Sequence, residues 1–163
     1  MHDLVELLEF HHWATNLTVG AVRDLTPEQF TQDLGSSFPS VRDTLVHVFT
    51  ADRAWVGRLE GKAPPRAKAQ DFADLSALLE VWEPVLQRWP VVVKSLGDPG
   101  RLIEYKSFAG DPFSSTLGQI VRHVVNHGTY HRGQVATMLR QLGAQAVSSD
   151  LISFYRERNA PQN

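Results

Sequence analysis

Cysteine is absent from the 163 residues, so disulfides, thiolate metal sites and cysteine nucleophiles are excluded together. A surplus of charge is absent too. Sixteen Lys and Arg against 18 Asp and Glu leave a net charge of −2, which supplies no basic field of the kind that dominates nucleic-acid affinity. No apolar stretch approaches the roughly 18 residues that a membrane span needs. The opening MHDLVELLEFHHW places Asp3, Glu6 and Glu9 where a secretory signal has a basic start and an unbroken apolar run, so a cytoplasmic setting is expected. Glycine-rich phosphate loops, the dinucleotide fingerprint, HExxH and GxSxG are missing as well, which weakens nucleotide, zincin and serine-hydrolase readings.

What is present is an ordinary globular composition, 42% hydrophobic and 21% charged, of a length that suits one domain over residues 1–163. Leu4, Leu7, Leu8, His11, Ala14, Thr18, Ala21, Val22 and Leu25 recur at helical spacing and predict a first helix from His2 to Leu25. After a turn-rich stretch from Thr26 to Pro39, Ser40 and Asp43 resemble a capping box that opens a second helix near 40–60. Residues 61–71, GKAPPRAKAQD, read as a solvated linker despite Lys62, Arg66 and Lys68. A third helix begins near Asp74 with Leu75, Leu78, Leu79, Trp82, Leu86 and Trp89 in phase, and Pro84 and Pro90 are expected to start, kink or end segments.

Arg101 to Phe113 fits a small hairpin or an ordered loop equally well. The longest helical pattern runs from Ser115 to Gln141, with Gly143 as its cap, and interior Gly128 and Gly133 mark close packing or a backbone approach. A short element closes the chain at residues 150–155. Four main helices predict an all-α bundle with a long crossover between the third and fourth. The four tryptophans, at 13, 55, 82 and 89, are expected in the core.

Histidine carries the chemistry. Of seven, three lie at 123, 127 and 131 in one helix, each step of four advancing about 40° around the axis and about 6 Å along it. His123 and His131 are therefore about 12 Å apart along the axis and do not readily share an ion. A site takes His127 plus one neighbour and needs a ligand from elsewhere, for which His47 in the second helix is the natural supplier. Three imidazoles with open positions suit zinc, nickel or ferrous iron and leave room for water or substrate. His11 and His12 face different directions, and Asp43, one turn before His47, is either a cap or a further acceptor at the site.

The segments GSSFPSVRDTLVHVFTADRAWVGRLEG at 35–61, HVVNHGTYHRGQVATMLRQLG at 123–143 and LLEFHHWA at 7–14 resemble the DinB-like metalloprotein family over nearly the whole chain. The resemblance implies an antiparallel four-helix bundle with a long crossover, commonly a homodimer, and a divalent metal held by His47, His127 and His131. His123 is then a pocket neighbour. Phe10-His11-His12-Trp13 departs from the family's aromatic-Asn-Arg-Trp-like run. Relatives include transferases that use low-molecular-weight thiols, so a metal-dependent thiol-S-transferase acting on a small electrophile is the leading expectation. A metal-dependent hydrolase and a metal-binding stress protein without turnover are the alternatives.

Overall fold

Side chains at the ends of the apolar-periodic segments set where the helices begin. Ser40 Oγ accepts from the Asp43 amide at 3.1 Å and opens α3, Val41–Leu59. Asp74 Oδ1 accepts from the Ala77 amide at 2.9 Å and opens α4, Leu75–Leu96. Thr116 and Gln119 exchange bonds in a reciprocal capping box that opens α5, Leu117–Gln141. With α1, His2–Val22, a short α2, Pro27–Thr31, and a closing α6, Leu151–Arg158, these are the α-helices among the described residues. The structure, a computed structural model, describes residues 1–62 and 64–160, so Ala63 of the 61–71 linker lies outside them.

Two details differ from expectation. Pro84 and Pro90 neither start nor end a segment; α4 continues through both. A proline inside a helix costs about 3 kcal/mol, and the buried face of Leu78, Trp82, Leu86, Trp89 and Val93 holds the chain helical in spite of it. Trp82 and Trp89 are buried, whereas Trp13 and Trp55 only pack against the core from partly exposed positions. Between α4 and α5, β1 (Leu102–Lys106) pairs antiparallel with β2 (Pro112–Thr116), Leu102 opposite Thr116 and Lys106 opposite Pro112, which decides for the hairpin. Its tip turns at Gly110, whose φ of 97° favours glycine.

The chain is mostly helical. α1 packs on α5 and α4, and α3 packs on the same two helices. The buried apolar residues form two clusters, one around Phe10, Trp89, Ile120 and Phe154, the other around Phe49, Trp82, Met138 and Leu139. Along α3 they are separated by residues 50–55, and along α5 by residues 126–134. That seam holds the polar chemistry of the molecule. No helix among the described residues is long and apolar enough to cross a membrane.

Candidate metal centre

His127 and His131 stand one turn apart on the face of α5 that packs against α3, and His47 meets them from α3. Each offers a ring nitrogen within 4.8 Å of the others. Ring centroids lie 4.9 Å apart for His47–His127, 4.5 Å for His47–His131 and 4.4 Å for His127–His131. The Nε2 atoms of His47 and His127 are 2.9 Å apart. Two nitrogens bonded at about 2.0–2.1 Å to one ion stand about 2.9–3.4 Å from each other. The spacing and the donor type both fit a divalent ion, and of the two neighbours of His127 that helix spacing left open, His131 is the one that joins His47.

Electrostatics keeps the donors ready. Burial, then the charges of His131 and Arg66, pushes His47 down to about 4. Burial, then the neighbouring histidines, pushes His127 down to about 4, with Asp52 opposing. His131 is lowered by burial, against its bond to Gln134. Imidazoles so depressed hold their lone pairs for a metal well below the usual histidine range, which moves the onset of acid-driven metal loss below pH 6. A folding consequence follows with a definite sign. Between the unfolded value of about 6.5 and the folded values, the unfolded chain binds protons that the folded chain refuses, so stability falls as pH decreases through that window. The urea midpoint of the metal-free protein is expected to drop from pH 7 to pH 5, and a flat midpoint over that interval refutes it.

Two side chains orient the trio. His131 Nδ1 donates to Gln134 Oε1 at 2.7 Å, which fixes the tautomer and turns Nε2 toward the other two rings. Phe38, from the segment before α3, stacks on His47 with centroids 4.1 Å apart and meets His131 edge-on at 5.5 Å. Losing a partner that orients a metal-bound histidine typically weakens metal binding about 10–100-fold. Gln134→Leu is expected to show that loss in a chelator competition titration, and unchanged affinity refutes the role.

Comparisons with known proteins place the chain in a family. The family model described as DinB family matches residues 1–162. The chain belongs to the DinB family. It is 26% identical over 153 residues to Protein DinB of Bacillus subtilis (strain 168), covering 89% of this chain and 89% of that protein. The crystal structure of a DinB-like protein from Bacillus cereus ATCC 10987 superposes with a TM-score of 0.66 at 18% identity, covering 87% of this chain and 94% of that one, a likeness of fold.

The remaining candidates of this DinB-family chain fall outside the trio. His123 is exposed, 5.8 Å from His127 between ring centroids and 5.6 Å from Trp55. Asp43 sits in the first turn of α3, its amide donating to the Ser40 hydroxyl that caps the helix and its carboxylate accepting from that hydroxyl. His12 Nε2 lies 3.2 Å from Glu83.

His11 enters a different network, directly behind the trio. Arg132 Nη1 donates to His11 Nδ1 at 3.2 Å, and on the other side of the ring Nε2 donates to Asp52 at 3.1 Å. Trp82 Nε1 donates to the same carboxylate at 2.8 Å, and Arg132 Nη2 donates to Thr129 at 2.9 Å. α1, α3, α4 and α5 each supply one member, and His11, Asp52, Trp82 and Arg132 are all buried. Burial lowers Arg132 to about 10, with Asp52 opposing, so it stays charged at neutral pH. Gly128 permits the arrangement: a Cβ there would lie 2.5 Å from His11 Cε1 and 2.8 Å from Arg132 Nη1, whereas Gly133 faces open space. The sequence signalled Gly128 and the semi-polar His11, but Asp52 and Arg132 look like any charged residues on a helix.

Proposed function

We propose that this protein is a metal-dependent enzyme of thiol-S-transferase type, working in the cytoplasm on a small electrophile. The observation that carries the reading is the meeting of three neutral imidazoles beside a cavity of about 190 Å³ whose wall includes His47. His47, His127 and His131 would hold a divalent ion, and the chemistry it would supply is a lowered pKa for a thiol beside it, the nucleophile that a chain without cysteine cannot provide. Zinc, nickel and ferrous iron suit the donor set. The transfer joins sulfur to the electrophilic carbon and releases the leaving group with its electron pair, while the thiol proton passes to solvent.

The chain's own contribution is to hold and to enclose. Gln134 orients His131, Phe38 covers one face of His47, and one side of α3, at residues 43, 46, 47, 50 and 51, lines the cavity. Asp43 is the single carboxylate in that lining, and its bond with the Ser40 hydroxyl leaves it poorly placed as a general base, which favours thiol transfer over hydrolysis. In this reading α1, α3, α4 and α5 form an antiparallel four-helix bundle, with residues 97–116 as the long crossover.

The test is an electrophile assay on the metal-loaded protein with and without added low-molecular-weight thiol. A rate that requires thiol, and that disappears in His127→Ala with helicity retained, is the expected result. A rate indifferent to thiol moves the reading to hydrolysis, and no rate with any thiol or electrophile leaves a metal-binding protein without turnover.

A further inference from the structure

We propose that the cavity beside the three histidines takes a small molecule bearing a carboxylate, and that Arg66 is the side chain that receives it. The inference rests on the proposed thiol chemistry only for where the reactive end of that molecule lies. Arg66 belongs to the linker between α3 and α4, and it lines the same cavity as His47, Phe38 and Phe108. Its guanidinium lies 4.5 Å from the centroid of the Phe108 ring, at the tip of the hairpin, while Arg58 lies 5.1 Å from the same ring. A ring bracketed by two cations orients Arg66 without neutralising it.

Charge accounting around the cavity gives the ligand its sign. The ion pairs among the described residues include none to Arg66. Asp43, the acid in the lining, has Arg42 Nη2 at 3.8 Å and the Ser40 hydroxyl on its carboxylate. The trio consists of neutral donors, so a divalent ion there keeps its charge. Arg66 and His47, the one member of the trio in the lining, therefore share one cavity whose lining, among the described residues, holds no acid besides the engaged Asp43. A guanidinium presents a planar fork that matches a carboxylate with two parallel bonds.

Size and lining give the rest. At about 190 Å³ the cavity is smaller than the roughly 300–1,000 Å³ of pockets for drug-sized ligands, so a molecule of a few heavy atoms is indicated. Phe38, Val46, Ala51, Ala67 and Ala69 make its middle apolar. A short carbon chain with an anionic end at Arg66 and a reactive end toward His47 matches this distribution. The carboxylate belongs either to the thiol or to the electrophile, and matched probes separate the two.

The experiment is calorimetric binding to the zinc-loaded protein. The thiol pair is 3-mercaptopropionate and 3-mercaptopropanol; the thiol-free pair is propionate and propionamide. Wild type is expected to prefer the anionic member by about tenfold, the scale of one charge-assisted hydrogen-bonded contact. Arg66→Gln is expected to erase that preference while leaving 3-mercaptopropanol affinity and zinc content unchanged, and Arg66→Lys to restore part of it. Preference in the thiol pair alone assigns the carboxylate to the thiol; preference in both pairs assigns the site to either reactant. Equal affinities within both pairs, or a preference that survives in Arg66→Gln, overturns the proposal. Failure of the wild type to retain zinc overturns instead the metal reading beneath it, so the two failures are distinct.

Discussion

His127→Ala is expected to lower affinity for a divalent metal by well over 100-fold and to leave the protein metal-free after dialysis, while its helical content stays at the wild-type value. The reason is placement. His127 is the member of the trio whose Nε2 comes within 2.9 Å of His47, and its ring also lies closest to that of His131. Removing it leaves two imidazoles on different helices, a weaker grip than the loss of an outer partner, for which about 10–100-fold is typical. The side chain is partly exposed and sits in the seam between the apolar clusters, so its truncation opens no cavity in either. Metal content by elemental analysis, with circular dichroism on the same sample, checks both halves. Stoichiometric metal in the variant would show that the ion is held elsewhere.

Asp52→Ala is expected to act on the opposite quantity, lowering unfolding free energy by about 2–4 kcal/mol, because two buried donors, the His11 ring N–H and the Trp82 indole N–H, lose their shared charged acceptor. Asp52 accepts from His11 and from Trp82, and Arg132, linked through His11, is the buried cation that it balances. Alanine leaves an uncompensated guanidinium and an indole N–H without an acceptor, with only Thr129 and His11 to bond the arginine. Set against total stabilities of about 5–15 kcal/mol for natural domains, the loss is large enough to read directly from a urea denaturation curve. Asp52→Asn retains an acceptor but not the charge, and is expected to fall between alanine and wild type. A change under about 1 kcal/mol in Asp52→Ala would mean that the network contributes nothing beyond packing.

Much of the helical layout is legible in the sequence because it depends on local signals. Ser40, Asp74 and Gly143 announce ends that the structure confirms, and the 127–131 step is a property of helix geometry alone. Arg101 to Phe113 fits hairpin and loop alike in sequence, since alternation is only partial there and the deciding bonds run across strands. Pro84 and Pro90 do not bound α4 because local cost is outweighed by a buried face that only tertiary packing creates. The site divides the same way. Histidines declare themselves by type and spacing, whereas Asp52, Arg132 and Gln134 have ordinary positions on ordinary helices. Arg66 looks like solvated linker in sequence because its partner is Phe108, 42 residues further on, folding back over it.

The shared location of the histidine trio and the four-helix polar network has a mechanical result. A slip of α5 along α3 by one turn, about 5.4 Å, would part His131 from His47 in the same stroke that it drew Arg132 away from His11 and the Asp52 carboxylate behind it. The cage for the cation and the rivet that holds the helices in register thus share one degree of freedom. The protein cannot loosen one without straining the other.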